Sequence, residues 1–162
     1  MSNKLNTHRI YVLYMTALIF FSVSSLSVYA EDKDLFVGAW DMLKFETLND
    51  DGVWTEVVIS DTELVGNIVF TASGIMQVQM FSSDRNNAEL NDNNAEIVNG
   101  YSAYFANYEV NDVDKIVTYN RIGHMVERFA KEIVNRKYDF KGDIMYIYNS
   151  DKARMNWKRI RP

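Results

Sequence analysis

The chain has 162 residues and no cysteine. That excludes disulfides, thiol nucleophiles and Cys-ligated metal sites. Proline occurs once, as the last residue, so no strand is interrupted by a residue lacking an amide donor. Histidine occurs twice, and only His124 lies beyond the first thirty residues. One His builds neither a multi-His metal site nor a credible Ser-His-Asp triad, and no acidic cluster shows ligand spacing. As a general base His124 needs an orienting acid, and Glu127 is only a near neighbour in sequence. There is no Gly-rich phosphate loop and no Gly-x-Ser-x-Gly elbow. The acidic, Asn-rich "SSDRNNAELNDNN" lacks the spacing of a calcium loop. No metal and no organic cofactor is expected.

Positive charge is also scarce. Lys and Arg number 17 against 22 Asp and Glu. The only basic cluster, "KARMNWKRIRP", reads better as a last strand than as an arm. An acidic chain without clustered cations is a poor nucleic-acid binder, because phosphate contacts need such clusters.

The first thirty residues are of another kind. Lys4 and Arg9 precede an apolar run, Ile10 to Phe21, broken only by Thr16. The run is followed by Val28-Tyr29-Ala30. A positive start, a short apolar centre and a small-x-small end spell a secretory signal peptide over 1–30. About a dozen apolar residues is short for a membrane span, which needs roughly 20. An uncleaved anchor is the competing reading. The mature chain is expected to begin at Glu31, with 15 Lys and Arg against 22 Asp and Glu, a net charge of −7. It is expected to be periplasmic or extracellular, without a stable span after cleavage. The remaining 132 residues suffice for one domain, 31–162.

That domain is rich in what builds strands, with 10 Tyr and 9 Phe. Long apolar-alternating runs are separated by polar turns. Ala39 to Thr47 is followed by "NDDG" and then Val53 to Ile59. Leu64 to Phe70 and Ile75 to Phe81 flank "TASG". Ala103 to Val110 and Lys115 to Gly123 flank "NDVD". Arg128 to Phe140 and Ile144 to Tyr148 flank "KGD", and Ala153 to Ile160 closes the chain. The pattern predicts eight or nine strands in consecutive hairpins. The loop from Ser82 to Asn94 is a candidate lid, and Asn94 is placed to cap a short helix after it.

Alternation shows which faces are buried. Met76, Val78 and Met80 share one face, opposite Gln77 and Gln79. Arg136, Tyr138 and Phe140 share another, opposite Lys137 and Asp139. If that second face points inward, Arg136 is a buried cation needing a ligand carboxylate or Glu46 as partner; if outward, it is solvated. A meander with one dry face closes into a barrel or a sandwich, and the short turns favour the barrel.

Gly38-Ala39-Trp40 at the head of this meander resembles the Gly-x-Trp signature of lipocalins and their calycin relatives. There the Trp plugs one barrel end and an Arg from near the last strand lies across it, a place that Arg159 of "NWKRI" would fill. "GAWDMLKFE", "LVGNIVFTASGIMQVQMF", "GYSAYFANYEVNDVDKIVTY" and "NRKYDFKGDIMYI" extend the likeness over nearly the whole mature chain. Together they resemble the bacterial and fungal lipocalin-like domain family. That family's pattern carries one or two His where Thr118-Tyr119-Asn120 stand here, so His chemistry of relatives does not carry over. The resemblance implies an all-β, antiparallel up-and-down lipocalin-like barrel of about eight strands with one short helix. It also implies a small, mostly apolar or amphipathic ligand inside the barrel.

Candidate ligand-binding residues are Met76, Val78, Met80, Tyr104, Tyr108, Tyr119, Asn120 and Arg136. Gly38, Trp40 and Arg159 are candidates for barrel closure. No catalytic residue is assigned. The alternatives are a barrel-pocket enzyme of isomerase or cyclase type and a packed envelope protein acting through protein contacts. A monomer or weak homo-oligomer is expected.

Overall fold

The structure is a computed structural model that describes residues 31–57, 64–82 and 101–161. The signal-peptide reading, the lid and the Asn94-capped helix fall outside these residues. The described chain opens with a five-residue helix, α1 (Asp32–Phe36), followed by β1 (Gly38–Leu48) and a short β2 (Trp54–Glu56). Then come β3 (Leu64–Phe70), β4 (Ile75–Ser82), β5 (Tyr101–Asn111) and β6 (Ile116–His124). A turn of 3₁₀ helix (Glu127–Phe129) leads into β7 (Ile133–Lys141), β8 (Ile144–Ser150) and β9 (Ala153–Arg159).

Every sequential neighbour from β3 to β9 pairs antiparallel, β3 pairs with β1, and β9 returns to β1. The result is a closed, eight-stranded, all-β up-and-down barrel, with β2 as an extra strand on the end of β1. Closure leaves no free edge on the eight strands. The predicted seventh strand began at Arg128; in the structure its first turn is 3₁₀ and pairing starts at Ile133. The described short helix stands before β1, where the sequence signalled none.

The interior follows the period-two pattern. Trp40, Ile68, Phe70, Met76, Val78, Ala106, Tyr108, Val117, Tyr119, Tyr138, Met145, Ile147 and Trp157 are buried inside. The face of Arg136, Tyr138 and Phe140 therefore points inward, and the solvated reading of Arg136 is set aside. A bulge between Met42 and Lys44 switches the parity of β1. It keeps Phe45 opposite Met155 inside and turns Lys44 and Glu46 outward, opposite Asn156 and Arg154.

One end is sealed by α1. Phe36 packs edge-on against Phe70, Tyr138 and Phe140, with ring centroids about 5 Å apart. Asp32 accepts hydrogen bonds from Tyr138 Oη (2.6 Å) and Lys115 Nζ, tying the helix to β7 and the β5–β6 turn. Trp40 is fully buried beneath it and donates Nε1–H to the Phe36 carbonyl at 2.9 Å. The Arg159 guanidinium lies 4.0 Å from the Trp40 ring centroid. It also donates to the carbonyls of Val37 (2.8 Å) and Leu35. Gly38 adopts φ +133°, where other residues are strained, and a Cβ there would lie 3.0 Å from an Arg159 amine nitrogen.

On the outer face, Glu46 forms the other main polar anchor. Its carboxylate accepts from Arg154 Nε and Asn156 Nδ2, both at 2.8 Å, and pairs with Lys44 at 2.5 Å. Arg154 is itself stacked on Trp54 and Tyr146, at 4.2 and 4.7 Å. Glu46 therefore does not pair with Arg136. Burial alone would raise the Glu46 carboxyl, but the bonds from Lys44, Asn156 and Arg154 outweigh it and hold it at about 2 against an ordinary 4.5. A carboxylate held below its unfolded value adds stability that is present above pH 4.5 and lost as the pH falls toward 2. Urea unfolding should thus show stability falling by on the order of 2 kcal/mol through Glu46 across that window. Glu46→Gln should remove this part of the pH dependence while lowering stability near neutral pH; an unchanged acid profile would contradict the assignment.

Candidate functional site

The end opposite α1 is built from the last residues of β4, β6 and β8 and the first of β5, β7 and β9. Here the interior is less apolar. A small cavity of about 30 Å³ lies between Ile68, Val78, Met80, Tyr104, Tyr119, Arg136, Ile147, Asn149, Met155 and Trp157. That is room for about one water molecule. Three of these residues carry buried polar atoms without a protein partner: Tyr119 Oη, Asn149 Oδ1 and Trp157 Nε1. Buried polar atoms are rarely left unpaired, and each costs on the order of 1–3 kcal/mol when they are.

The three atoms are chemically complementary as a set. Trp157 Nε1–H donates, Asn149 Oδ1 accepts, and the Tyr119 hydroxyl does either. Full burial holds the Tyr119 phenol well above its ordinary 10, so the hydroxyl keeps its proton. A water or a polar ligand group in the cavity would meet both donors and acceptors among them. Arg136 adds a cation to the same lining. It is half-buried, and its hydrogen bond is a long one, 3.5 Å, to the Asn135 carbonyl. It forms no ion pair with any described residue.

A second polar group lies nearer the rim. The Arg121 side chain is almost fully buried and pairs with Glu132 at 2.9 Å. Its guanidinium stacks 4.5 Å from the Tyr104 ring, which lies parallel to His124 at 5.5 Å. His124 Nδ1 accepts the Val126 amide at 2.9 Å, so the neutral tautomer carries its proton on Nε2. Glu132 takes the acid position toward Arg121, and Glu127 is exposed.

Of the residues singled out by sequence, Val78, Met80, Tyr104, Tyr119 and Arg136 line the cavity. Met76 and Tyr108 share the inward face but do not line it. Met76 is fully buried opposite Phe70, and Tyr108 donates its hydroxyl to the Thr71 carbonyl at 2.8 Å in the packed end. Asn120 follows Tyr119 in β6 and so faces outward, away from any interior ligand. Gly38, Trp40 and Arg159 meet at the α1 end. Asn149 and Trp157 were not foreseen as lining. Their signal lay in alternation, since Met145, Ile147 and Asn149 share one parity of β8.

Comparison with known families agrees with the geometry. A profile described as "Lipocalin-like domain" matches residues 37–160. The chain belongs to the lipocalin-like domain family. No curated protein and no solved structure matches it. In this lipocalin-like chain no group of three or more His, Asp or Glu among the described residues can hold a metal ion. No described helix is long and apolar enough to cross a membrane.

The unpartnered Tyr119 hydroxyl sets up a diagnostic variant. Tyr119→Phe removes a buried polar group and no protein hydrogen bond. Thermal or urea unfolding should show it unchanged or stabilised by up to about 1–2 kcal/mol. A loss of that size would mean that the hydroxyl is bonded in the resting protein, to a protein group or to a buried water.

Proposed function

We propose that this is an exported binding protein that holds a small amphipathic molecule in the open half of its barrel. The observation that carries this reading is the convergence of Tyr119, Asn149, Trp157 and Arg136 on one interior cavity. A sequence selected only for stability would fill such a place with apolar side chains. The ligand's polar or anionic head would bond the three buried atoms and Arg136. Its apolar body would lie against Ile68, Val78, Met80, Ile147 and Met155. An eight-stranded barrel has just enough interior for one such ligand.

In the closed form the cavity holds only a water-sized group. Met80 and Met155 are only partly buried against the core, and unbranched thioether chains repack at small cost. Their rotation toward the rim widens the cavity, and the α1 end stays fixed. Export, to a periplasmic or extracellular location, is supported by the signal-like residues 1–30. A packed barrel acting through its surface is the second reading, favoured by the small cavity volume.

Native mass spectrometry of the mature protein, purified without detergent, tests the proposal. The expected result is a discrete added mass that is lost on denaturation. Straight-chain carboxylates of graded length should raise its melting temperature, and Arg136→Leu should weaken that effect about tenfold or more. A bare mass together with no response to any of these acids would contradict the proposal and leave the packed barrel.

A further inference from the structure

A second concave space, of about 770 Å³, lies on the outer face of the barrel over β3 to β6. The space is a broad, open groove and not an enclosed cavity. Its chemistry differs from that of the interior. Register places two rows of side chains across the sheet: Asn67, Gln79 and Ala103 in one, and Val69, Gln77, Phe105 and Gly123 in the other. Met125 borders them. About a quarter of the chain is charged, yet no Asp, Glu, Lys or Arg among the described residues lines this groove. A merely solvated strand face in so acidic a chain would carry charges, as Lys137 and Asp139 do on β7.

The groove has an aromatic floor. A Cβ on Gly123 would lie 2.5 Å from the Phe105 ring, so glycine is what allows that ring to lie down on β6. Phe105 remains 45% exposed. Beside it run the amides. Tyr101 Oη donates to Gln79 Oε1 at 3.1 Å, and Gln79 Nε2 donates to Asn67 Oδ1 at 3.4 Å. The Gln77 amide is exposed and bonds no described residue.

A primary amide offers two donors and an acceptor in one plane, which suits neighbouring hydroxyls that each donate and accept. An exposed aromatic face suits the C–H face of a sugar ring. An ionic ligand would find no Asp, Glu, Lys or Arg among the described lining residues as a counter-charge. A purely apolar one would desolvate three amides without bonding them, which is costly. We propose that this outer groove binds a neutral oligosaccharide, with a sugar ring over Phe105 and hydroxyls on Gln77, Gln79 and Asn67. The proposal does not depend on the interior site.

Amide-resolved NMR of the mature chain tests it, by titration with maltohexaose, cellohexaose and chitohexaose and with an oligogalacturonate as the charged comparator. The expected result is that at least one neutral sugar shifts the amides of Asn67, Gln77, Gln79, Phe105 and Gly123 with a Kd of about 1 mM or tighter. The oligogalacturonate should leave them unmoved. Phe105→Ala should weaken binding about tenfold. The exposed Gln77→Glu, which leaves the packing around Gly123 intact, should weaken it by about threefold or more. The proposal is overturned if no neutral sugar moves these amides, or if the shifts map to the barrel interior. It is equally overturned if the same amides shift with protein concentration alone, because a second copy then covers the face.

Discussion

Arg159 lies across the buried Trp40 ring and donates to the carbonyls of Leu35 and Val37, the residues that join α1 to β1. The contact sits where the last strand meets the first, so it fastens ring closure and plug together. A cation on an aromatic face contributes about 0.5–2 kcal/mol, and each charge-assisted bond to a carbonyl a comparable amount. Trp40 completes the linkage by donating to the carbonyl of Phe36, whose ring fills the space above Phe70 and Tyr138. Gly38 is required there by its positive φ and by the nearness of Arg159.

A barrel fixed so firmly at one end can afford polar chemistry at the other. The α1 half is filled by aromatic rings in edge-on contact. The opposite half holds Arg121, Arg136, Asn149 and the hydroxyl of Tyr119 on the same inward faces. Each polar atom there lowers stability unless something bonds it. In the outer cluster Arg154 and Asn156 Nδ2 both donate to the Glu46 carboxylate, while Asn156 Oδ1 has no hydrogen-bond partner.

The strands were legible in the sequence because period-two alternation and turn residues agree along almost every hairpin. The direction of the Arg136–Tyr138–Phe140 face was not, since alternation tells two faces apart without saying which is inside. Closure decided it by burying Tyr138. Parity explains which of the candidate residues meet inside the barrel. Val78, Met80, Tyr104, Tyr119 and Arg136 all lie on inward faces, but Met76 and Tyr108 do too. Depth along the barrel, which separates cavity from packed end, leaves no trace in a two-residue period. Asn120 lies on the outward face by parity, being adjacent to Tyr119. Asn149 was hidden because "NSDK" reads as a turn, while its side chain continues the inward row of β8 before the turn begins. The helix α1 was hidden because five residues are too few to show a 3.6-residue period.

Whether Tyr119, Asn149 and Trp157 share one interior binding point is settled by a crystal structure of the 31–162 domain that shows ordered water. Density for a water or a ligand atom is expected within hydrogen-bonding distance of Tyr119 Oη, Asn149 Oδ1 and Trp157 Nε1. Side chains turned so that each of these atoms bonds a protein group, with nothing between them, would contradict it.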